Sequence, residues 1–351
     1  MKFPIPVAVL GATGSVGQRF VALLDGHPWF KLVALTGSDR TAGKSYKEGC
    51  SWVLNQPMPD RAAKILLDSS DSANLNGAAI CFSALPTDEA KLIEPSMARA
   101  GLIVCSNASA FRPDPDVPLL LPEVNAEHIR LVRSQRQNRD WTGAILTNPN
   151  CTSTGMTVSL KALNDAIGVK RVFAVSLQAL SGAGYPGVPS MDIIDNVIPY
   201  IGGEESKVET EPNKMIGKFL DGKIIEADIK ISAHTNRVAV VDGHTVVLSV
   251  ELNSEISEKD VIEIFTDYKA PDIAAHLPSA PKPVMVYRNE ANRPQPKLDR
   301  DTGKGMTTVI GRVRKDPIFS IKYVTLSHNT IRGAAGGSIY NAELLVDQGL
   351  L

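Results

Sequence analysis

Short apolar runs, each closed by glycine or a polar cluster, alternate along the first half of the chain with stretches whose apolar residues recur every three or four positions. Val7–Leu10 is the first run, and it meets Gly11-Ala-Thr-Gly14-Ser-Val-Gly17. Val16, Phe20, Leu23 and Leu24 then mark the buried stripe of a helix that ends near Gly26. Leu32–Leu35, Ala78–Phe82 and Leu102–Cys105 read as further buried strands, with a helical stretch from Thr87 to Ala100 that Pro95 interrupts. Strand and helix in alternation predict a parallel, doubly wound sheet. A second strand-to-helix corner follows Ala144–Thr147. There Asn148-Pro-Asn-Cys151-Thr-Ser-Thr-Gly155 leads into Met156, Leu160 and Leu163 at helical spacing, which puts Cys151 at the head of a helix.

Beyond that corner the pattern changes. Val172–Leu177 is a strand that feeds a glycine-dense loop, Gln178-Ala-Leu-Ser-Gly-Ala-Gly-Tyr-Pro-Gly187, and a helix is predicted from about Glu209 to Phe219. Strands near Ile229–Ser232 and Val238–Val241 precede an Asp242-Gly243 turn and the strand His244–Leu252, a hairpin signal. A helical segment Glu258–Tyr268, a proline-rich run to Pro296, strands near Thr308–Val313 and Ile321–Thr325, and a last helix from about Ala334 to Val346 follow. The second half is therefore predicted to be α+β with an antiparallel or mixed sheet. No internal repeat or low-complexity segment is visible.

Composition narrows the function without naming it. With 351 residues, 43% hydrophobic, the chain is long enough for two domains. A net charge of -1 with dispersed Lys and Arg gives no reason to expect nucleic acid or an anionic membrane as partner. No apolar run reaches membrane-spanning length and the N-terminal residues carry no signal-peptide pattern, so a cytoplasmic enzyme of small-molecule chemistry is expected. Cys50, Cys81, Cys105 and Cys151 lack metal-ligand or disulfide spacing and read as free thiols, with Cys81 and Cys105 in the core and no metal site.

Two constellations carry chemistry. The strand, glycine turn and helix around Gly11, Thr13, Gly14, Ser15 and Val16 suit a dinucleotide pyrophosphate at a helix N-terminus, although the spacing is GxxGxxG rather than GxGxxG. At the end of the next strand Ser38, Arg40 and Thr41 offer hydroxyls and a guanidinium to a 2′-phosphate, which favours NADP; Asp39, turned inward, would favour NAD instead. The second constellation is Cys151, whose place at a helix head favours a thiolate through the unpaired N–H groups and the helix dipole. As a nucleophile it needs a proton partner. His244 is the candidate, with His234, His276 and His328 as competitors. Asn107 and Arg112 follow a strand end, where open α/β sheets hold ligands, and together they suit an anion.

With these residues in place the chain resembles the aspartate-β-semialdehyde dehydrogenases, especially the archaeal and fungal type. The resemblance runs through Gly11–Gly17, Asn148–Thr152, Gln178–Pro189, Asp195–Tyr200, Arg237 to Asp242-Gly-His244, and Asn329 to Arg332-Gly-Ala-Ala335. It implies a Rossmann-type nucleotide-binding domain, 1–150 completed by 329–351, and an α+β catalytic and dimerisation domain, 151–328. It further implies Cys151 as nucleophile, His244 as acid and base, and Gln178 and Asn150 orienting the reacting centre. Arg237 would grip the substrate carboxylate, Glu205 and Lys207 would flank the amino group and the phosphate, and Asn107 and Arg112 would form the phosphate site. Ser181, Gly182 and Asn329 would lie toward the nicotinamide end of NADP. The implied reaction is reversible, NADP-dependent reduction of aspartyl phosphate to the semialdehyde in a homodimer or homotetramer. Two alternatives stay open at this point: reduction of malonyl- or succinyl-coenzyme A through the same cysteine thioester, and a cofactor-binding regulator without catalysis.

Overall fold

A computed structural model describes residues 3–71 and 75–351. Continuous apolar runs form the strands β1 (Ile5–Leu10), β2 (Phe30–Thr36), β3 (Leu67–Asp68), β4 (Ile80–Ser83), β5 (Ile103–Ser106) and β6 (Ala144–Thr147). They make one sheet in the order β3-β2-β1-β4-β5-β6, every pair parallel. Such runs suit strands that are covered on both faces. The strand order reverses between β1 and β4, so a crevice opens at their carboxyl ends, the place where sheets of this kind take ligands. Gly11 sits at that point with φ +68°, a backbone conformation glycine tolerates without strain. The C-terminal helix Gly336–Asp347 packs into the same core: Ile339, Tyr340, Leu344 and Leu345 lie with Val7, Val9, Phe82 and Leu146.

The second sheet collects the remaining long strands. These are β7 (Val169–Gln178), β10 (Lys230–Arg237), β11 (His244–Leu252), β12 (Met285–Arg288), β13 (Thr308–Lys315) and β14 (Ile321–Ser327), while β8 (Lys218–Leu220) and β9 (Lys223–Ile225) pair only with each other as a small separate hairpin. The sheet order is β10-β7-β11-β14-β13-β12, with parallel and antiparallel pairs mixed. The helix Cys151–Ala166 covers one face, and its Met156, Leu160 and Leu163 join Val172, Val246, Leu248 and Tyr323 in the core. No helix among the described residues is long and apolar enough to cross a membrane.

Three local expectations need correction. The hairpin across Asp242-Gly243 does not form: β10 pairs in parallel with β7 on one side, and β11 pairs antiparallel with it on the other. The segment between them spends its carbonyls elsewhere, Val240 O accepting from Leu180 N–H and Val241 O from Ser181 N–H. The helix predicted from Glu209 runs from Glu204 to Ile216, beginning after Gly203 at φ +69° and ending at Gly217, with Pro212 inside it. Pro95 likewise leaves the helix Thr87–Arg99 unbroken, because buried Ala90, Glu94, Met97 and Ala98 hold both halves on the sheet.

Candidate active site

The strand order of the second sheet decides which residues meet. In it β7 ends at Gln178 beside the end of β10 at Arg237, while antiparallel β11 begins at His244 on the other side of β7. Three polar side chains from three different strands thus emerge at one sheet end. All are buried, with Gln178 and His244 each 1% exposed and Arg237 6%. The helix that starts at Cys151 brings its first turn to the same place. Cys151 Sγ lies 3.2 Å from His244 Nε2. The competing histidines lie elsewhere: His234 stacks edge-on with Phe173 on the open sheet face, His276 bonds Asp347, and His328 neighbours Asp301 and Thr330.

The helix head is almost fully committed. Asn150 Oδ1 accepts from Thr152 N–H at 2.9 Å and from Ser153 N–H at 3.3 Å, while Asn150 N–H itself donates to Glu211 Oε2 at 2.6 Å. Among the described residues the Cys151 N–H has no acceptor other than its own sulfur, so it can serve an oxyanion. On the imidazole, Nδ1 accepts a hydrogen bond from Ala179 N–H at 3.1 Å. A nitrogen that accepts carries no hydrogen, so neutral His244 bears its hydrogen on Nε2 and presents it to the sulfur.

The helix head favours a thiolate, as the sequence predicts, but another effect is larger. Burial pushes the Cys151 thiol up to about 12, with the Glu204 carboxylate adding to the shift; Arg112, Arg237 and the backbone N–H work in the opposite direction. Burial, with Arg237 and His328 nearby, pushes His244 down to about 3. The resting pair is therefore a thiol and a neutral imidazole. Alkylation of Cys151 by iodoacetamide in the free protein should accelerate steadily with pH across the neutral range, as the thiolate fraction grows. A rate that plateaus below neutral pH would mean a preformed thiolate–imidazolium pair and overturn this.

A cavity of about 280 Å³ joins this corner to the first sheet; Asn107, Arg112, Asn150, Cys151, Gly182, Glu204 and Lys207 line it. Glu205 does not. Its Oε1 accepts from Thr235 N–H in β10, whereas Glu204, one helix position earlier, faces the cavity. Glu204 takes hydrogen bonds from Asn150 Nδ2 at 2.7 Å and Lys207 Nζ at 2.9 Å. Burial works against its carboxylate, but Lys207, Asn150 and Gln178 outweigh burial and hold its pKa below the usual range. Arg112 donates to Glu211 Oε1 at 3.0 Å and to Asn107 O at 2.8 Å, while its Nε is buried with no protein acceptor. Arg237 sits behind the Leu180–Ala183 turn, donating to Ala179 O at 2.7 Å. A Cβ at Gly182 would stand 2.8 Å from Arg237 Nη1 and 3.1 Å from the imidazole, so only glycine fits there without displacing one of them. Glu204, Glu211 and Lys214 were not among the residues singled out from sequence. All three lie on the buried face of a helix whose first turn the apolar pattern missed.

The dinucleotide crevice opens onto the same cavity: Val16, Ser181 and Asn329 line it together with Cys151. Asn329 Nδ2 donates to Ser181 Oγ, and Asn329 Oδ1 accepts from Gly243 N–H, both at 2.8 Å. Below them the helix Ser15–Leu24 starts at Gly14 with no side-chain cap and no acidic residue in its first turn, so its N–H groups are open to an anion. A Cβ on Gly17 would lie 2.3 Å from Gly11 O, which is why the turn needs glycine there. Thr13 O is held by Gln18 Nε2, and Gly11 N–H donates to Thr36 Oγ1. Ser38, Asp39 and Arg40 are exposed at the end of β2, and Thr41 folds back on Ser38 O through both its N–H and its hydroxyl. These donors, at the carboxyl ends of β1 and β2, suit a dinucleotide.

Fold and site together define a dinucleotide-dependent dehydrogenase architecture with a cysteine at the junction of its two sheets. Family models agree with both halves. "Semialdehyde dehydrogenase, NAD binding domain" matches residues 6–132, and "Semialdehyde dehydrogenase, dimerisation domain" matches residues 160–332. The aspartate-semialdehyde dehydrogenase of Archaeoglobus fulgidus is 51% identical over 98% of this chain and 99% of its own length. That of Schizosaccharomyces pombe is 42% identical over 98% of this chain and 99% of its own. The crystal structure of aspartate semialdehyde dehydrogenase with NADP from Candida albicans superposes with a TM-score of 0.90 at 38% identity, covering 99% of each chain. The chain belongs to the aspartate-semialdehyde dehydrogenase family.

Proposed function

We propose that the protein catalyses the reversible, NADP-dependent conversion of aspartyl β-phosphate to aspartate β-semialdehyde and phosphate through a thioester on Cys151. One observation supports this above the others. Cys151, an ion pair of opposite charges (Glu204 and Lys207) and Arg112 border one cavity that the dinucleotide crevice also enters, and the imidazole of His244 reaches the sulfur from 3.2 Å. Glu204 suits the substrate ammonium, Arg237 its carboxylate, and Arg112 with Lys207 and Asn107 its phosphate. Pairing the ammonium with Glu204 removes the carboxylate that raises the Cys151 thiol, so substrate binding itself favours the nucleophile.

In the reductive direction the sulfur attacks the acyl carbon, the bond from carbon to the phosphate oxygen breaks, and the thiol proton ends on the departing phosphate. NADPH, when bound, supplies the hydride to the thioester carbon. The oxyanion that develops there meets the Cys151 N–H while Gln178 and Asn150 orient the centre; as it collapses to the aldehyde the carbon–sulfur bond breaks, the Nε2–H of His244 hydrogen-bonds the departing thiolate, and a solvent proton restores the thiol. In this reading residues 1–150 with 329–351 form the NADP unit and residues 151–328 the catalytic unit. The product serves lysine, threonine and methionine biosynthesis.

The second sheet leaves Phe173 and Val247 exposed on the face away from the Cys151 helix, and Tyr185, Met191, Ile194 and Tyr200 stand out beside it. This apolar surface is where a second copy would pack, giving a homodimer or a pair of dimers. For the cofactor, Arg40 is exposed and has no ion-pair partner among the described residues, which leaves its guanidinium available to a 2′-phosphate. Arg40→Ala should raise the KM for NADP by about tenfold or more and leave that for NAD nearly unchanged; equal effects on both would remove the argument for NADP. The function itself is tested by following NADP reduction with aspartate semialdehyde plus phosphate against malonate semialdehyde plus coenzyme A. Activity with the first pair is expected. Turnover only with the second would replace the acyl phosphate by an acyl-coenzyme A.

A further inference from the structure

Glu211 lies in the middle of the helix Glu204–Ile216, 7% exposed and on the same face as Glu204, Lys207 and Lys214. Its two carboxylate oxygens serve two different parts of the site. Oε1 accepts from Arg112 Nη1 at 3.0 Å, and Oε2 accepts from Asn150 N–H, immediately before the nucleophile, at 2.6 Å. A carboxylate needed only to balance the charge of Arg112 has no use for the second bond, and one needed only to tie down the helix head has no use for the first.

The surroundings favour a single coupled unit. Arg112 is pinned at Nη1 by Glu211 and at Nη2 by Asn107 O, which leaves its Nε buried without a protein acceptor. One turn further along the same helix, Lys214 Nζ donates to the carbonyls of Arg112, Asp114 and Val117. The helix therefore fixes both the backbone and the side chain of the arginine, while Glu211 fixes the residue that caps the nucleophile's helix. An Arg fork recognises an anion by direction as much as by charge, so an unpinned guanidinium would lose much of its hold on a phosphate oxygen.

We propose that Glu211 is a positioning residue for phosphate: it sets the orientation of Arg112 relative to Cys151, so that the anion and the acyl carbon are held in one register. This rests on the reading of phosphate as co-substrate. The test uses the full-length enzyme with aspartate semialdehyde, NADP and varied inorganic phosphate. Glu211→Gln keeps the size of the side chain but replaces one acceptor oxygen with a donor, so one of the two bonds is lost. It should raise the KM for phosphate about tenfold, with the KM for NADP and the thermal midpoint nearly unchanged. In an Arg112→Ala background the same substitution should shift the phosphate KM less than about twofold, since residues that act through one another are not additive. A phosphate KM that stays the same or falls, or effects that multiply independently in the double variant, overturns the proposal. If Glu211→Gln does not fold, Glu211→Asp, which keeps the charge but reaches only one partner, takes its place with the same criteria. Wild-type enzyme that ignores phosphate altogether would instead sink the acyl-phosphate reading.

Discussion

Cys151→Ala is expected to abolish phosphate-dependent oxidation of aspartate semialdehyde, a loss of at least about 10⁴-fold, while NADPH binds with nearly wild-type affinity. The two outcomes separate because they depend on different parts of the fold. In the proposed reading binding rests on the crevice between β1 and β4, on the open head of the helix Ser15–Leu24 and on Asn329 with Ser181. None of these bonds involves the sulfur. The helix that Cys151 begins is capped by Asn150 and held by Glu211, so removing one sulfur atom leaves its position unchanged. Without the thiol there is no covalent acyl acceptor, and neither phosphate nor hydride transfer has a thioester on which to act. Fluorescence titration of NADPH beside a steady-state assay reads both quantities. Residual phosphate-dependent turnover in the variant would show that another group is the nucleophile.

How much of this was legible before the structure depends on how local each feature is. The two strand-to-helix corners at Gly11 and Cys151 are local: an apolar run, a glycine or asparagine turn and a helical stripe sit in consecutive residues. The convergence of Gln178, Arg237 and His244 is not. It depends on β7 lying between β10 and β11, and alternating apolar residues report a strand without naming its partner, which is why a hairpin was expected at Asp242-Gly243. The first turn of the helix Glu204–Ile216 was hidden because Gly202-Gly203 reads as loop, which moved the expected start to Glu209. That hidden boundary also explains the substitution of Glu205 for Glu204. Adjacent helix positions point about 100° apart, so one residue separates a side chain on the cavity from one bonded to a neighbouring strand. The protonation state of the nucleophile was illegible for a different reason. The favourable helix head can be read from sequence, but the larger opposing effects, burial and the Glu204 carboxylate, come from residues that only the fold brings together.

His244→Ala should lower kcat by about 10²–10⁴-fold, the range for losing a positioned proton-transfer group, with much smaller changes in the KM for either NADP or phosphate. The expected pattern follows from how the imidazole is held. Ala179 N–H occupies Nδ1, so Nε2 carries the hydrogen and aims it at the sulfur from 3.2 Å. In the free protein this N–H cannot accept the thiol proton without first changing tautomer, and burial with the Arg237 charge makes the doubly protonated ring costly. In the proposed mechanism His244 therefore assists most where negative charge appears on the departing or attacking sulfur. That is an interaction made in the transition state more than in the ground state, so its removal falls on kcat. The alternative, an imidazole that mainly orders the resting thiol, predicts a rise in KM with kcat preserved. A ¹⁵N spectrum of the wild-type imidazole offers a second check: hydrogen on Nε2 and a bare Nδ1 across the neutral range are expected, and hydrogen on Nδ1 would contradict the Ala179 bond and the role built on it.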